Sequence, residues 1–228
     1  MKKILFAILF ITAHQVLSQT PIEAGGFIGT TTYQGDLAED HLEFNELNFA
    51  FGGLARYHFN PKLKARGNVT YGHISGSDFN AKDPGLRSRG WSYESYIVEM
   101  SVIAEFHPFG RSREDAVGFF APQVSPYVGL GVGFINYDPA IKVNKFKDQN
   151  LFPESGALSS SISLPLVAGV AFDISKNFLV GIEWGSRVTM HDYLDGVSKN
   201  GNRKKNDLFI FAGLSITYFV GYIESFNL

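Results

Sequence analysis

A period of two recurs along this chain with no helical stretch between its repeats, and that limits what the chain can become. Apolar residues alternate with small, polar or charged ones, as in strands whose two faces meet different surroundings. In one stretch Leu47, Phe49, Phe51, Gly53, Ala55, Tyr57 and Phe59 share a face, opposite Asn48, Ala50, Gly52, Leu54, Arg56 and His58. After Asn60-Pro61, a turn signal, Leu63, Ala65, Gly67, Val69 and Tyr71 alternate with Lys62, Lys64, Arg66, Asn68 and Thr70. Tyr96, Val98, Met100, Val102, Ala104 and Phe106 oppose Ser95, Glu99, Ser101 and Glu105. Phe178, Val180, Ile182, Trp184 and Val188 oppose Gly181, Glu183, Gly185, Arg187 and Thr189. Eight strands are expected, at roughly 22–33, 46–59, 62–75, 92–106, 126–137, 161–174, 178–190 and 207–220. The first, fifth and last alternate less cleanly.

The connections are unequal in a regular way. Asn60-Pro61 and Ser175-Lys176-Asn177 are short. Long polar segments lie at about 34–45, 76–91, 138–160 and 191–206, with 107–125 a longer segment on the short-turn side. Short turns at one end and long loops at the other are the pattern of outer-membrane barrels. Volume decides which face points out. An eight-stranded lumen is only just wide enough to be filled by side chains, and the apolar faces, made of mostly large residues with many aromatics among them, are too bulky for it. The polar faces are rich in glycine and serine, and Gly129, Gly131 and Gly133 read as space for bulky lumen neighbours. The expected fold is therefore all-β: an eight-stranded antiparallel transmembrane barrel with a side-chain-filled lumen, its apolar face in lipid. A soluble lipocalin-like barrel is the competing architecture. Tyr57, Phe59, Tyr71, Phe106 and Phe178 suit an interfacial girdle.

Buried charges must be paired. Arg56, Lys64, Arg66 and Arg187 against Glu99, Glu105, Asp173 and Glu183 give a near-balanced lumen charge network. A plugged lumen leaves no water channel for a general porin and moves function to the loops, the turns or the outer wall.

Residues 1–18 read as a cleaved signal peptide: Met1-Lys2-Lys3, an apolar run from Ile4 to Ala13, then Val16 and Ser18 before the cut. The mature barrel is expected over 19–228, with both termini periplasmic and a short tail at 221–228. Without cysteine there is no disulfide framework, thiolate metal site or lipid anchor. A net charge of -2 offers no nucleic-acid footprint. No cofactor motif is present; Gly129-Leu130-Gly131-Val132-Gly133 lacks the spacing of a phosphate loop. His107 before Pro108 reads as a turn residue. His191, Asp192, Asp195 and Ser198 cluster in one loop and are the only candidates for catalysis, with capping or occasional cation binding by Asp36, Asp78, Asp192 and Asp195 the plainer reading. No enzyme is expected.

Several stretches in order resemble the PorG-like outer-membrane barrel family of the Bacteroidetes: Tyr33-Gln34-Gly35-Asp36-Leu37, Arg56-Tyr57, the run from Tyr71-Gly72 to Ser77-Asp78, Glu99, Glu105-Phe106, Pro126-Tyr127 and Asp192-Tyr193-Leu194-Asp195-Gly196-Val197-Ser198. The resemblance spans nearly the whole mature chain. It implies a component of type IX protein secretion in the outer membrane, contacting a periplasmic ring of a PorK-like lipoprotein and its PorN-like partner and catalysing nothing. The departures are Gly196, where the family carries an acid, and Met190, where it carries aromatics nearby. On this reading the periplasmic contact surface would include Phe109, Arg111, Arg113, Glu114, Asp115, Phe119, Phe120, Tyr222 and Phe226. Arginine and aromatic residues are enriched at interface hot spots. The alternatives are a barrel presenting ligand-binding or adhesive surface loops, and an outer-membrane enzyme acting on lipid or peptide.

Overall fold

The structure is a computed structural model describing residues 21–34, 48–77, 91–113, 119–143, 159–189 and 208–220. Eight strands run in chain order: β1 (Ile22–Gln34), β2 (Asn48–His58), β3 (Leu63–Ser77), β4 (Trp91–Phe106), β5 (Val124–Val143), β6 (Ser159–Asp173), β7 (Phe178–Thr189) and β8 (Leu208–Phe219). Each pairs antiparallel with the next, and β1 pairs with β8 to close the barrel. The competing soluble barrel is set aside by the facing of the side chains.

The short turns are stapled by side chains. Asn60 Oδ1 accepts from the amides of Lys62 and Leu63, each at 2.8 Å. Asn177 donates from Nδ2 to the Phe219 carbonyl at 3.2 Å, and its own carbonyl takes the Phe219 amide. Closure brings β1 and β8 unusually near: a Cβ on Gly29 would lie 2.8 Å from the Gly213 Cα, and one on Gly213 would lie 2.6 Å from the Gly29 Cα. Glycine on both sides of the seam makes that approach possible. The β5–β6 ladder skips Gly131/Pro165 and Val132/Leu164, where Pro165 has no N–H to donate.

The outward positions are apolar. Phe49, Phe51, Val69, Met100, Val102, Leu130, Val132, Ile162, Leu166, Ile182, Trp184 and Ile216 are all exposed. Tyr57, Phe59, Phe106, Phe178 and Tyr218 ring the short-turn end, with Tyr57 packed edge-on to Phe59 and Phe178 to Tyr218. At the other level Phe51, Tyr71 and Tyr96 form a chain of ring contacts. Between the two levels the outward positions carry no charged side chain. Along β4 the step from Phe106 to Tyr96 covers about 25 Å of barrel axis, at ~3.3 Å per residue and a tilt near 40°. That is the height of an outer-membrane apolar band. The molecule is an outer-membrane-type barrel.

The interior is layered. Towards the short-turn end it is ionic, and towards the long-loop end Ile74, Ile97, Ile135 and Phe209 are fully buried. Large apolar side chains thus share the lumen with the small and ionic ones. Glycines free the space that the larger groups fill: a Cβ at Gly129 would sit 2.7 Å from Val167 Cγ2 and 2.8 Å from Ile103 Cγ2. Strands β1, β3, β4, β5 and β6 run past an expected end, most of all β5, which reaches Val143 opposite Trp91, whereas β2, β7 and β8 stop within theirs. Ladder bonds continue above the lipid-facing band, where alternation no longer marks them.

Candidate functional site: the lumen network and the short-turn cap

Arg56 is the first cation inward from the short-turn end of β2. Its Nη1 donates to Glu23 Oε1 at 2.5 Å, and its Nε donates to both oxygens of Glu105 at 3.1 and 3.0 Å. Glu23, on β1, also takes a bond from Thr217 Oγ1 on β8 at 2.6 Å and faces His58 Nε2 at 3.0 Å. Arg66, on β3, forms an ion pair from Nη1 to Glu105 Oε1 at 2.9 Å. It also forks onto Glu183, with Nη2 to Oε1 at 3.1 Å and Nη1 to Oε2. Tyr127 donates its hydroxyl to the same Glu183 oxygen at 2.6 Å. Lys64 is buried in the field of Glu23, Glu105 and Asp173. Strands β1, β2, β3, β4, β5, β7 and β8 thus all send polar groups to a single cluster, β2 giving both Arg56 and His58 and β3 both Lys64 and Arg66, because each strand places a polar residue at an inward position near the same level.

A second cluster sits deeper. Glu99 accepts from Ser101 Oγ at 3.1 Å and Ser163 Oγ at 3.3 Å. Arg187 Nε stands 3.5 Å from Glu99 Oε1, Nη1 donates to the Gly185 carbonyl at 2.6 Å, and the guanidinium lies 4.7 Å from the Phe211 ring centroid. Among the described residues four acids and four bases are buried in the lumen: Glu23, Glu99, Glu105 and Glu183 with Arg56, Lys64, Arg66 and Arg187. Balanced and cross-bonded, they escape the several kcal/mol that an unpaired buried charge costs.

The segment after β4 folds across the short-turn mouth. Gly110 donates to the His107 carbonyl, and a Cβ on Gly110 would strike the Pro61 backbone. Arg111 and Gln123 exchange two bonds, the Arg111 amide to Gln123 Oε1 at 3.3 Å and Gln123 Nε2 to the Arg111 carbonyl at 3.1 Å. Arg113 donates from Nε to Asp173 at 3.2 Å and from Nη2 to the Ser175 carbonyl at 3.0 Å. Its guanidinium also covers Phe219 and Phe120 at 5.3 and 5.8 Å. The result is a cap pinned to the turns at 59–62 and 174–177 and to the end of β8.

His107 joins cap to network. It is buried, stacks on Tyr127 at 4.9 Å, and places Nδ1 2.9 Å from Ser125 Oγ and Nε2 3.4 Å from Glu105 Oε2. Burial pulls its pKa below the ordinary imidazole value, helped by Lys64 and Arg56 and opposed by Glu105. Serine, histidine and carboxylate in line suggest an activated nucleophile. Two facts argue against that here: Ser125 is only 6% exposed, and Glu105 is already committed to two arginines. Neutral His107, accepting from Ser125 and donating to Glu105, acts as a clasp. Among the described residues no three of His, Cys, Asp and Glu converge as metal ligands.

The structure thus brings Arg56, Lys64, Arg66, Glu105 and Glu183 together, sets Glu99 and Arg187 apart as a second cluster, and gives Asp173 to Arg113. Phe109 and Phe119 stand exposed on the cap, and Arg111 beside Phe109 is exposed too. Glu114, Asp115, Tyr222, Phe226, the loop cluster at His191, Asp192, Asp195 and Ser198, the aspartates 36 and 78, and residues 1–18 lie outside the described residues. Sequence reasoning missed Glu23, His58, Tyr127 and Thr217. Glu23 carried a signal: a lone acid in a membrane-crossing strand has to face inward.

No curated protein matches the sequence significantly. Solved structures similar to it include OprG of Pseudomonas aeruginosa, 12% identical, covering 89% of this chain and 99% of that one with a TM-score of 0.49. The N-terminal β-barrel domain of OprF from the same organism is 14% identical, covering 87% and 98% with a TM-score of 0.45. Ail, the attachment invasion locus protein of Yersinia pestis, is 14% identical, covering 88% and 97% with a TM-score of 0.44. A family model described as a domain of unknown function, DUF6089, matches residues 2–227, and the chain belongs to that family.

Proposed function

We propose that this chain is a non-enzymatic outer-membrane barrel of the type IX protein secretion system. Its short-turn end faces the periplasm and positions a ring containing a PorK-like lipoprotein and a PorN-like partner. The observation that carries this reading is the ion-paired lumen beneath a pinned cap. A barrel so filled offers no route for solutes, and its ordered end is a platform. The resemblance to the PorG-like family over nearly the whole mature chain supports the pathway. Phe109, 69% exposed, and Arg111 are the described residues best placed for the contact. Arg113 serves instead to hold the cap.

The test is affinity purification from gently solubilised outer membrane. A variant carrying Phe109→Ala and Arg111→Ala, combined with removal of residues 221–228, should keep the barrel's heat-modifiable migration and lose the ring subunits. Secretion should fall with it. Ring subunits recovered in unchanged amount would refute the contact surface.

A further inference from the structure

Two buried guanidinium groups are left with an N–H to spare. Arg66 and Arg187 are 1% and 2% exposed, and Nε of each has no hydrogen-bond partner. Arg66 commits Nη1 and Nη2 to Glu105 and Glu183. The Arg187 Nε approach to Glu99 is 3.5 Å and makes no hydrogen bond. Buried donors without acceptors are costly, more so on charged groups. Both arginines line one void of about 10 Å3, shared with Asn68, Thr70, Glu183 and Phe211. That is close to the least space that holds a single water.

We propose that the void holds one resident water, which accepts from Arg66 Nε and Arg187 Nε. It thereby joins the two ion clusters, which otherwise end on either side of it. Charge selects water over a small anion. The lumen acids and bases already balance four to four, so an anion would add an uncompensated buried charge. The chemistry of the walls fits as well. Asn68 donates its amide nitrogen to Ser101 Oγ, which leaves its carbonyl oxygen, with the Thr70 hydroxyl, for the water's own protons. Buried waters typically make about three such bonds. The inference concerns the barrel interior and holds whichever machinery the barrel serves.

The deciding experiment is a crystal structure of the full chain grown with bromide as the only halide. A water-sized peak about 2.9 Å from both Nε atoms, with no bromine anomalous signal, is the expected result. A bromine peak would make this an anion site; an empty void, or Nε atoms bonded directly to protein acceptors, would leave no resident. Either overturns the proposal. A second measurement stands on its own: in arginine-labelled protein in micelles, both Nε–H signals should show cross-relaxation with a slowly exchanging water. Thr70→Ile, which fills the void, should abolish that signal while Ser101→Ala keeps it. Cross-relaxation that survives Thr70→Ile would refute the site.

Discussion

Replacing Glu105 with glutamine removes one negative charge from the point where three cations meet, with little change of shape. Arg56 keeps Glu23 and Arg66 keeps Glu183, while Lys64 loses one of its nearest anions. The described lumen then holds four bases against three acids. Breaking a buried pair from one side costs about 3–5 kcal/mol, because the abandoned charge stays in a low-dielectric interior. Glu105→Gln should therefore lose about 3–5 kcal/mol. Lys64→Met in the same chain restores the balance. The two changes should be non-additive, with a coupling of about 1–3 kcal/mol, in the range for groups sharing one network. The assay is reversible urea unfolding in lipid vesicles, followed by the fluorescence of Trp184, which is exposed on the lipid-facing wall. Replacing Trp91 by Phe makes Trp184 the sole reporter. A loss below about 1 kcal/mol for Glu105→Gln, or strict additivity in the double variant, would refute the claim that charge balance holds the lumen together.

Three further outcomes follow from the same geometry. Val102→Arg puts a cation at mid-band on the lipid face and should cost about 2–4 kcal/mol in vesicles; wild-type stability there would mean the outer face is misassigned. Gly129→Leu, whose Cβ alone would crowd Val167 and Ile103, should lose about 1–3 kcal/mol by overpacking. Gly67→Leu should be close to neutral, since a Cβ there meets nothing within 4 Å, and urea midpoints that rank the two the other way would contradict the interior assignment. His107 has a folded pKa below its ordinary 6.5, so the unfolded chain binds the proton more readily. Its contribution is present above that value and is lost as pH falls below it. His107→Asn should flatten that acid-side loss in pH-resolved unfolding, and an unchanged slope would show that the clasp does not titrate.

Much of this architecture was legible because bilayer and lumen impose opposite chemistry on alternate residues. On β2, β3 and β7, and on β4 from Tyr96 to Phe106, the ionic and aromatic residues fall on opposite faces, so both strand and facing could be read. β8 was harder because Phe209, Phe211 and Phe219 face inward while Leu214, Ile216 and Tyr218 face lipid. The inward rings are admitted by glycines on other strands, such as Gly72 against Phe211, and no single stretch of sequence shows that. The charge set was visible as a composition, but its wiring was not. That Asp173 meets Arg113 while Glu183 meets Arg66 and Tyr127 depends on stagger between strands far apart in the chain. His107 looked like a turn residue because proline follows it. It does open a turn, and its burial comes from the cap folding back over the mouth.

The seam between first and last strands also has a consequence for assembly. Every other strand meets a neighbour adjacent in sequence, so hairpins can form as the chain arrives, whereas β1 must wait for β8. Glu23 lies on that late edge, and its bond to Thr217 spans 194 residues. In a half-closed intermediate its carboxylate keeps Arg56 and His58 of β2 and lacks only the Thr217 donor. The Thr217 bond is thus among the last of the lumen contacts to form, and the ion cluster is complete only once the cylinder closes.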